Sequence, residues 1–189
     1  QMQRSIDFYN SQVEEAISNG NDFSENFDPK LMKWDRPQKR NVRKGEKAKD
    51  VEYARVNKSF YRPFFRQYLY FDRFWNNCVY QMPTIFPSNS TENLMICFNQ
   101  AWSGEGQLAL MANRIVDLHF NGDSQCFPRW IPKSDTPAQG ILDLGYEDDR
   151  ESGFSKDALP HFQKAYPGQT ITETDLFYYI YGILHSEDY

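Results

Sequence analysis

The fold of this chain is decided by an aromatic run in its first half, which reads Phe60-Tyr61-Arg62-Pro63-Phe64-Phe65-Arg66-Gln67-Tyr68-Leu69-Tyr70-Phe71-Asp72. Aromatic side chains favour β-strands because they pack well on a pleated, half-buried surface. Proline has no backbone N–H to donate to a strand ladder, so Pro63 interrupts the run. The run therefore predicts two strands separated at Pro63.

Shorter strand-like segments lie on both sides of this aromatic run. Residues 51–56 alternate apolar and polar side chains, and residues 94–98 form a short apolar run typical of a buried strand. Residues 107–112 and 114–120 fit either a strand or a short helix, and residues 125–131 fit an edge strand. The acidic stretch 134–153 reads as loop.

Helical patterns occupy the two ends of the chain. Apolar residues recur at spacings of three and four over residues 5–18, which predicts an amphipathic helix. Near the C-terminus, Ser155 is the expected cap of one helix. Thr172 and Asp175 have the spacing of a capping box at the start of a second. These elements predict an α+β fold, in which a central, mostly antiparallel, twisted sheet carries an N-terminal helix and two C-terminal helices.

Length and composition indicate an ordinary globular domain. The chain has 189 residues, of which 40% are hydrophobic and 25% charged, and no apolar run is long enough to cross a bilayer. Its three cysteines are widely spaced without a Cys-x-x-Cys pair, which predicts buried, reduced thiols and a cytoplasmic location. The chain ends directly after the last helical pattern, so we expect it to be a piece of a longer polypeptide.

Charge is distributed unevenly along the chain. The net charge is −5, yet residues 28–73 contain 14 Lys and Arg against 6 Asp and Glu. The stretch 36–45 adds Pro, Asn and Gly to this basic composition and reads as a mobile basic loop, of the kind that holds a phosphate backbone. The alternative is a solvated loop whose charges only keep the chain in solution.

Arg, Lys, Gln and Asn in or near this segment are the candidates for nucleic-acid contact. Arg40, Arg43, Gln38 and Asn41 have the side chains that form bidentate bonds with guanine or adenine edges. Arg62 has two interpretations, a phosphate contact or a partner for a core carboxylate. The full candidate set is Arg36, Gln38, Lys39, Arg40, Asn41, Arg43, Lys44, Lys47, Lys49, Arg62, Arg66 and Arg73.

Motifs for catalysis are missing from the sequence. It contains no phosphate-binding loop, no dinucleotide-binding glycine turn and no nucleophile elbow. His119 and Cys126 are two soft ligands where a structural zinc site needs four. The acidic cluster Glu147-Asp148-Asp149 with Glu151 is contiguous and reads as a solvated loop. The chain by itself is therefore predicted to be neither an enzyme nor a metal protein.

Four blocks of the sequence resemble the C-terminal specificity region of type ISP restriction–modification enzymes. The most specific block is the last. In chain order they are Ser59-Phe60-Tyr61-Arg62-Pro63-Phe64 with Tyr68-Leu69-Tyr70-Phe71-Asp72, Ile85-Phe86-Pro87 with Glu92-Asn93, Ile115-Val116-Asp117-Leu118 with Gln125-Cys126-Phe127-Pro128, and Asp175-Leu176-Phe177-Tyr178-Tyr179-Ile180-Tyr181-Gly182-Ile183-Leu184-His185-Ser186.

This resemblance implies a module that recognises duplex DNA inside a larger enzyme. The parent would join nuclease, helicase-like ATPase and adenine-N6 methyltransferase domains, using S-adenosylmethionine, ATP and Mg²⁺, whereas this fragment would hold no cofactor. Residues 1–20 would be a helical linker from the methyltransferase, 21–150 the recognition core and 151–189 a helical pair. The alternative is a structural coupling domain that docks the methyltransferase to the motor with little DNA contact of its own.

Overall fold

The computed structural model describes residues 1–20, 31–99, 108–133 and 150–188. The glycine pair Gly104 and Gly106 and the acidic residues 147–149 lie outside these ranges. The helices are α1 (Met2–Ser18), α2 (Arg36–Arg43), α3 (Met82–Ile85), α4 (Ala158–Ala165) and α5 (Glu173–Ile183), with a 3₁₀ helix at Tyr53–Arg55. The strands are β1 (Val56–Arg62), β2 (Phe65–Tyr70), β3 (Met95–Phe98), β4 (Ala109–Ala112), β5 (Ile115–Val116), β6 (Gln125–Pro128), β7 (Trp130–Pro132) and β8 (Arg150–Ser152).

The chain divides into two compact units. Unit 1 comprises residues 1–57 and 69–79, and unit 2 comprises residues 58–68 and 80–189. The division at residues 20 and 150 expected from the sequence separates the chain by role in the parent enzyme, and it stays a prediction. Helix α1 contributes to the core of unit 1.

Unit 1 is built on an aromatic cluster around Tyr9. The Tyr9 ring is fully buried and meets Phe74 and Trp75 edge-on, with ring centroids 5.4 and 5.3 Å away. Its hydroxyl donates a 2.9 Å hydrogen bond to the carbonyl oxygen of Glu46, and burial raises the pKa of the phenol well above its ordinary value. Val42 of α2 is also fully buried in this core, so α1 and α2 share it.

The predicted break at Pro63 is confirmed. Strands β1 and β2 are neighbours in a sheet of order β2-β1-β5, and only Pro63 and Phe64 lie between them. A connection this short joins only antiparallel strands, so β1 and β2 form a hairpin. On its other edge, β1 pairs in parallel with β5, Ser59 opposite Ile115.

The core of unit 2 lies between α5 and a second sheet of order β4-β3-β6, in which both pairings are antiparallel. Phe177 of α5 is 2% exposed and packs with Ile96 and Ala109 of that sheet. The predicted capping box is confirmed, because Thr172 accepts a hydrogen bond from the Asp175 backbone N–H and the Asp175 carboxylate accepts one from the Thr172 backbone. A third sheet pairs β7 with β8.

The α+β class with mostly antiparallel sheets is confirmed, and several local predictions are wrong. The described strands form three small sheets instead of one central sheet. Within the strand predicted at 51–56, Tyr53–Arg55 form a 3₁₀ helix that leads into β1. Of the stretch 134–153 predicted as loop, residues 134–149 lie outside the described residues, and Arg150–Ser152 form β8.

Two further predictions are corrected near helix α4 and among the cysteines. Helix α4 begins after Asp157, not after Ser155, so Pro160 falls in its first turn, where a missing N–H costs no helix hydrogen bond. The cysteines are free, but only Cys97 is buried, while Cys78 is exposed.

Candidate nucleic-acid interface

The segment predicted as a mobile basic loop is helix α2, with defined stops at both ends. The Asp35 side chain caps its N-terminus by accepting a 2.8 Å hydrogen bond from the backbone N–H of Arg36. At the C-terminus, Gly45 has φ +71° and donates to the carbonyl of Val42, while Glu46 donates to that of Asn41. This pair of bonds is the Schellman arrangement, which needs a left-handed residue such as glycine.

One face of α2 is buried and includes two residues that the sequence offered as base readers. Gln38 is 1% exposed, and its amide nitrogen donates 3.0 Å hydrogen bonds to the carbonyl oxygens of both Phe74 and Trp75. Asn41 is 8% exposed on the same side of the helix. The structure corrects the assignment of both amides, because a side chain enclosed in the protein core does not reach the edge of a base.

The opposite face of α2 carries exposed cations, and we call Arg36, Arg40, Arg43 and Lys44 the α2 basic face. Their spacing of three and four residues places them on neighbouring turns of one helix side. None of these side chains has a hydrogen bond or ion pair with a described residue. Like charges at this spacing destabilise a helix by about 0.2–0.5 kcal/mol per pair. Helix α2 therefore carries a row of cations that no described residue neutralises.

The other candidates in unit 1 have mixed surroundings. Lys47 forms a 2.6 Å ion pair with Glu14, and Lys39 interacts within the protein. Lys49 and Arg73 are exposed. An exposed ion pair such as Lys47–Glu14 contributes only about 0–1 kcal/mol, so Lys47 is able to exchange its partner for a phosphate.

Unit 2 holds the remaining two candidates, Arg62 and Arg66, on its hairpin. The Arg62 guanidinium lies 2.5 Å from the Asp117 carboxylate, donates to the carbonyl of Tyr61 and stacks over the Tyr61 ring at 4.2 Å. The structure therefore shows Arg62 paired with a carboxylate, which is one of the two interpretations given for it from the sequence. Arg66 is exposed and has no hydrogen bond or ion pair with a described residue.

The described residues offer no arrangement for metal chemistry. No group of three or more His, Cys, Asp or Glu is placed to hold a metal ion in these ranges. His119 instead forms a 2.8 Å contact with Asp123, four residues on. Across the part of the chain that the structure covers, no helix combines the length and apolar character needed to cross a bilayer.

Comparison with known proteins decides the family. The family model described as the Type ISP C-terminal specificity domain matches residues 1–189, the whole chain. The chain belongs to the Type ISP C-terminal specificity domain family. A comparison with curated protein sequences gives no match.

Three solved structures share the fold of this specificity domain. The ATP-dependent Type ISP restriction-modification enzyme LlaBIII bound to DNA is 26% identical, with a TM-score of 0.71 over 100% of this chain and 11% of that one. A nuclease-deletion mutant of the Type ISP enzyme LlaGI, in complex with a DNA substrate mimic, is 24% identical, with a TM-score of 0.68 over 99% and 13%. A DrdV–DNA complex is 22% identical, with a TM-score of 0.74 over 98% and 17%. This specificity domain thus spans between a tenth and a fifth of the length of these proteins.

The sequence of the specificity domain contains start and stop signals for α2, although the composition of the segment also fits a loop. Asp35 before a first-turn proline, Pro37, and Gly45 after a basic last turn are the usual start and stop signals of a helix. Pro, Asn and Gly within ten residues also match a loop, and the buried partners of Gln38 are 36 and 37 residues away along the chain. Tertiary packing therefore selected the helix.

Proposed function

We propose that this specificity domain recognises duplex DNA, and that the α2 basic face is its principal contact with the duplex. The observation that carries the proposal is the row of four cations on one side of a helix whose opposite side is fixed in a core. An α-helix fits the major groove of B-form DNA, and exposed Arg and Lys neutralise phosphates or bond guanine edges. Two similar solved structures are of Type ISP enzymes bound to DNA or to a DNA substrate mimic, which supports the same role here.

Within α2, we assign base reading to Arg40 and Arg43 and backbone contact to Arg36 and Lys44. Arg40 and Arg43 lie in the middle and last turn of the helix, while Arg36 and Lys44 lie at its two ends. An arginine that bonds guanine in a bidentate manner discriminates against the wrong base by about 1–3 kcal/mol. Lysine at a helix end acts as a point charge toward phosphate.

In the parent enzyme, we propose that this recognition positions the target for adenine-N6 methylation and for restriction. The type ISP assignment supports this role, because the similar proteins include ATP-dependent restriction-modification enzymes. S-adenosylmethionine, ATP and Mg²⁺ would act in other domains of that polypeptide. The specificity domain would contribute selection of the site and no chemical step.

The decisive experiment is selection of bound duplexes from a random DNA pool at two salt concentrations. The wild type is compared with Arg40→Ala/Arg43→Ala and with Lys156→Ala/Lys164→Ala, which removes the same charge from exposed positions of unit 2. We expect the wild type and the control to enrich the same motif and the α2 variant to lose it. Equal enrichment by all three proteins would overturn the assignment of α2.

A second function, structural coupling to neighbouring domains, is favoured by one observation on α5. Tyr178 and Tyr179 are each 50% exposed on this helix, and residues 171–188 contain four carboxylates and no Lys or Arg. Half-exposed tyrosines are typical of protein contacts, while the carboxylates repel phosphate. We propose that α5 docks onto another domain of the parent enzyme, in addition to DNA recognition through α2.

A further inference from the structure

The turn of the β1–β2 hairpin has a conformation that its own sequence disfavours. Pro63 has its φ held near −65° by the ring, which rules out the mirror-image turns that usually close two-residue hairpins. The next residue, Phe64, has φ +65°, a left-handed value that suits glycine or asparagine. A bulky aromatic side chain at this position strains the backbone.

Burial of the Phe64 side chain does not offset this strain. It is 90% exposed, the highest value among the exposed large hydrophobic residues of the described chain. Its ring contacts no other ring in the described part of the chain. A hydrophobic residue that is both strained and exposed points to a role outside the packing of the protein.

The residues around Phe64 are held in place by ring and ion-pair contacts, and they include the exposed cation Arg66. We call residues 61–66 the hairpin tip. Tyr61 and Phe65 meet edge to face with centroids 6.1 Å apart, and Arg62 is fixed by Asp117 and the Tyr61 ring. Arg66 is exposed, two residues beyond Phe64. The hairpin residues 58–68 include Lys58, Arg62 and Arg66 and no carboxylate.

We propose that Phe64 is an aromatic wedge that enters duplex DNA at a base step, while Arg66 contacts the adjacent phosphate. Proteins that deform DNA insert apolar side chains such as Phe between base pairs, beside Arg or Lys on the backbone. The proposal deepens the proposed function and rests on it, since it names a second element of the DNA contact. A protein partner is disfavoured because Lys58 and Arg66, which no carboxylate of a described residue neutralises, attract a polyanion.

Substitution of Phe64 by glycine separates a binding role from a folding role. Glycine removes the ring and accepts the left-handed φ at no steric cost, so the melting temperature of Phe64→Gly should equal or exceed that of the wild type. The same change should weaken duplex binding by roughly tenfold, the scale of an aromatic–base stack. Tyr53→Ala is the matched control, because Tyr53 is an 84% exposed aromatic residue of unit 1 that belongs to neither the hairpin tip nor the α2 basic face.

The experiment measures duplex affinity, melting temperature and permanganate oxidation of thymines for the wild type, Phe64→Gly and Tyr53→Ala. We expect the wild type and Tyr53→Ala to make thymines at the wedge site reactive by unstacking them, and Phe64→Gly to leave them protected. A tight wild-type complex without reactive thymines, or unchanged affinity of Phe64→Gly, would overturn the wedge and leave the proposed function intact. Failure of the wild type to bind duplex DNA in low salt would overturn both.

Discussion

Helices α2 and α5 are each held by one buried face, and they differ in what the opposite face carries. In α2 the buried side is Gln38 and Val42, and the exposed side is the α2 basic face. In α5 the buried side is Leu176 and Phe177, and the exposed side includes the half-exposed Tyr178 and Tyr179. Packing accounts for the buried sides of both. The exposed sides distinguish partners, because cations without carboxylates suit DNA and tyrosines among carboxylates suit protein.

The largest expected effect concerns the buried side of α5. Phe177→Ala should lower the free energy of unfolding of unit 2 by about 3–5 kcal/mol, because it leaves a cavity against Ile96 and Ala109. Urea denaturation measures this loss. Tyr178→Ala, at the next residue on the exposed side, is the control and should cost far less. If the two variants lost equal stability, the division of α5 into a packing side and a free side would be wrong.

The next effect separates the two interpretations of Gln38. Gln38→Ala should lower the free energy of unfolding by about 1–3 kcal/mol, because the carbonyl oxygens of Phe74 and Trp75 lose their donor from the buried Gln38 amide. Gln81→Ala removes an exposed amide and should change stability little. Preserved stability of Gln38→Ala with an altered DNA preference would restore Gln38 as a base reader and contradict its place in the core.

A smaller effect concerns the start of α5. Thr172→Ala should destabilise the protein by about 1 kcal/mol at pH 7, because the cap hydrogen bond is lost, and Thr172→Ser should restore most of it. Hydrogen bonds from Thr172 to the ionised Asp175 carboxylate lower the pKa of Asp175, so their stabilising effect, separate from the bond to the Asp175 N–H, is fully present above the ordinary carboxyl pKa. It is lost as the pH falls through the lower folded value. Thermal unfolding at pH 7 and pH 3 checks both points, and an equal deficit at both pH values would exclude the Asp175 linkage.

The smallest effect is expected on the exposed side of α5. The variant Tyr178→Ala/Tyr179→Ala should change duplex affinity by less than about twofold, because surface positions outside a DNA contact contribute little. A titration with the duplex motif enriched by the wild type measures this. A tenfold loss would place α5 in the DNA interface and remove the contrast with α2.

Local chemistry made part of this structure predictable from the sequence. The strand break at Pro63 and the capping box at Thr172 depend only on neighbouring residues, and both are confirmed. The α+β class is confirmed for a similar reason, since strand and helix patterns occupy separate stretches. The sequence left two interpretations of Arg62, because a phosphate contact and a pairing with a carboxylate both require only an arginine side chain. The structure shows the pairing, with Asp117.

The remaining features depend on contacts between distant residues. The division into three sheets follows from pairings such as Cys97 with Cys126 and Trp130 with Ser152, which no short window contains. The burial of Gln38 likewise needs the backbone of Phe74 and Trp75. Composition therefore identified the basic segment correctly, whereas its helical geometry and the orientation of its amides came from tertiary packing.

The most direct test of DNA contact through α2 is the salt dependence of duplex binding by the wild type, by Arg36→Gln/Lys44→Gln, which removes the two proposed phosphate contacts, and by Tyr178→Ala/Tyr179→Ala. Each cation that contacts a phosphate contributes about −0.9 to the slope of log K against log salt concentration. We predict a slope about one to two units shallower for the α2 variant, with weaker binding, and an unchanged slope for the α5 variant. A slope and affinity for the α2 variant equal to those of the wild type would contradict DNA contact through α2.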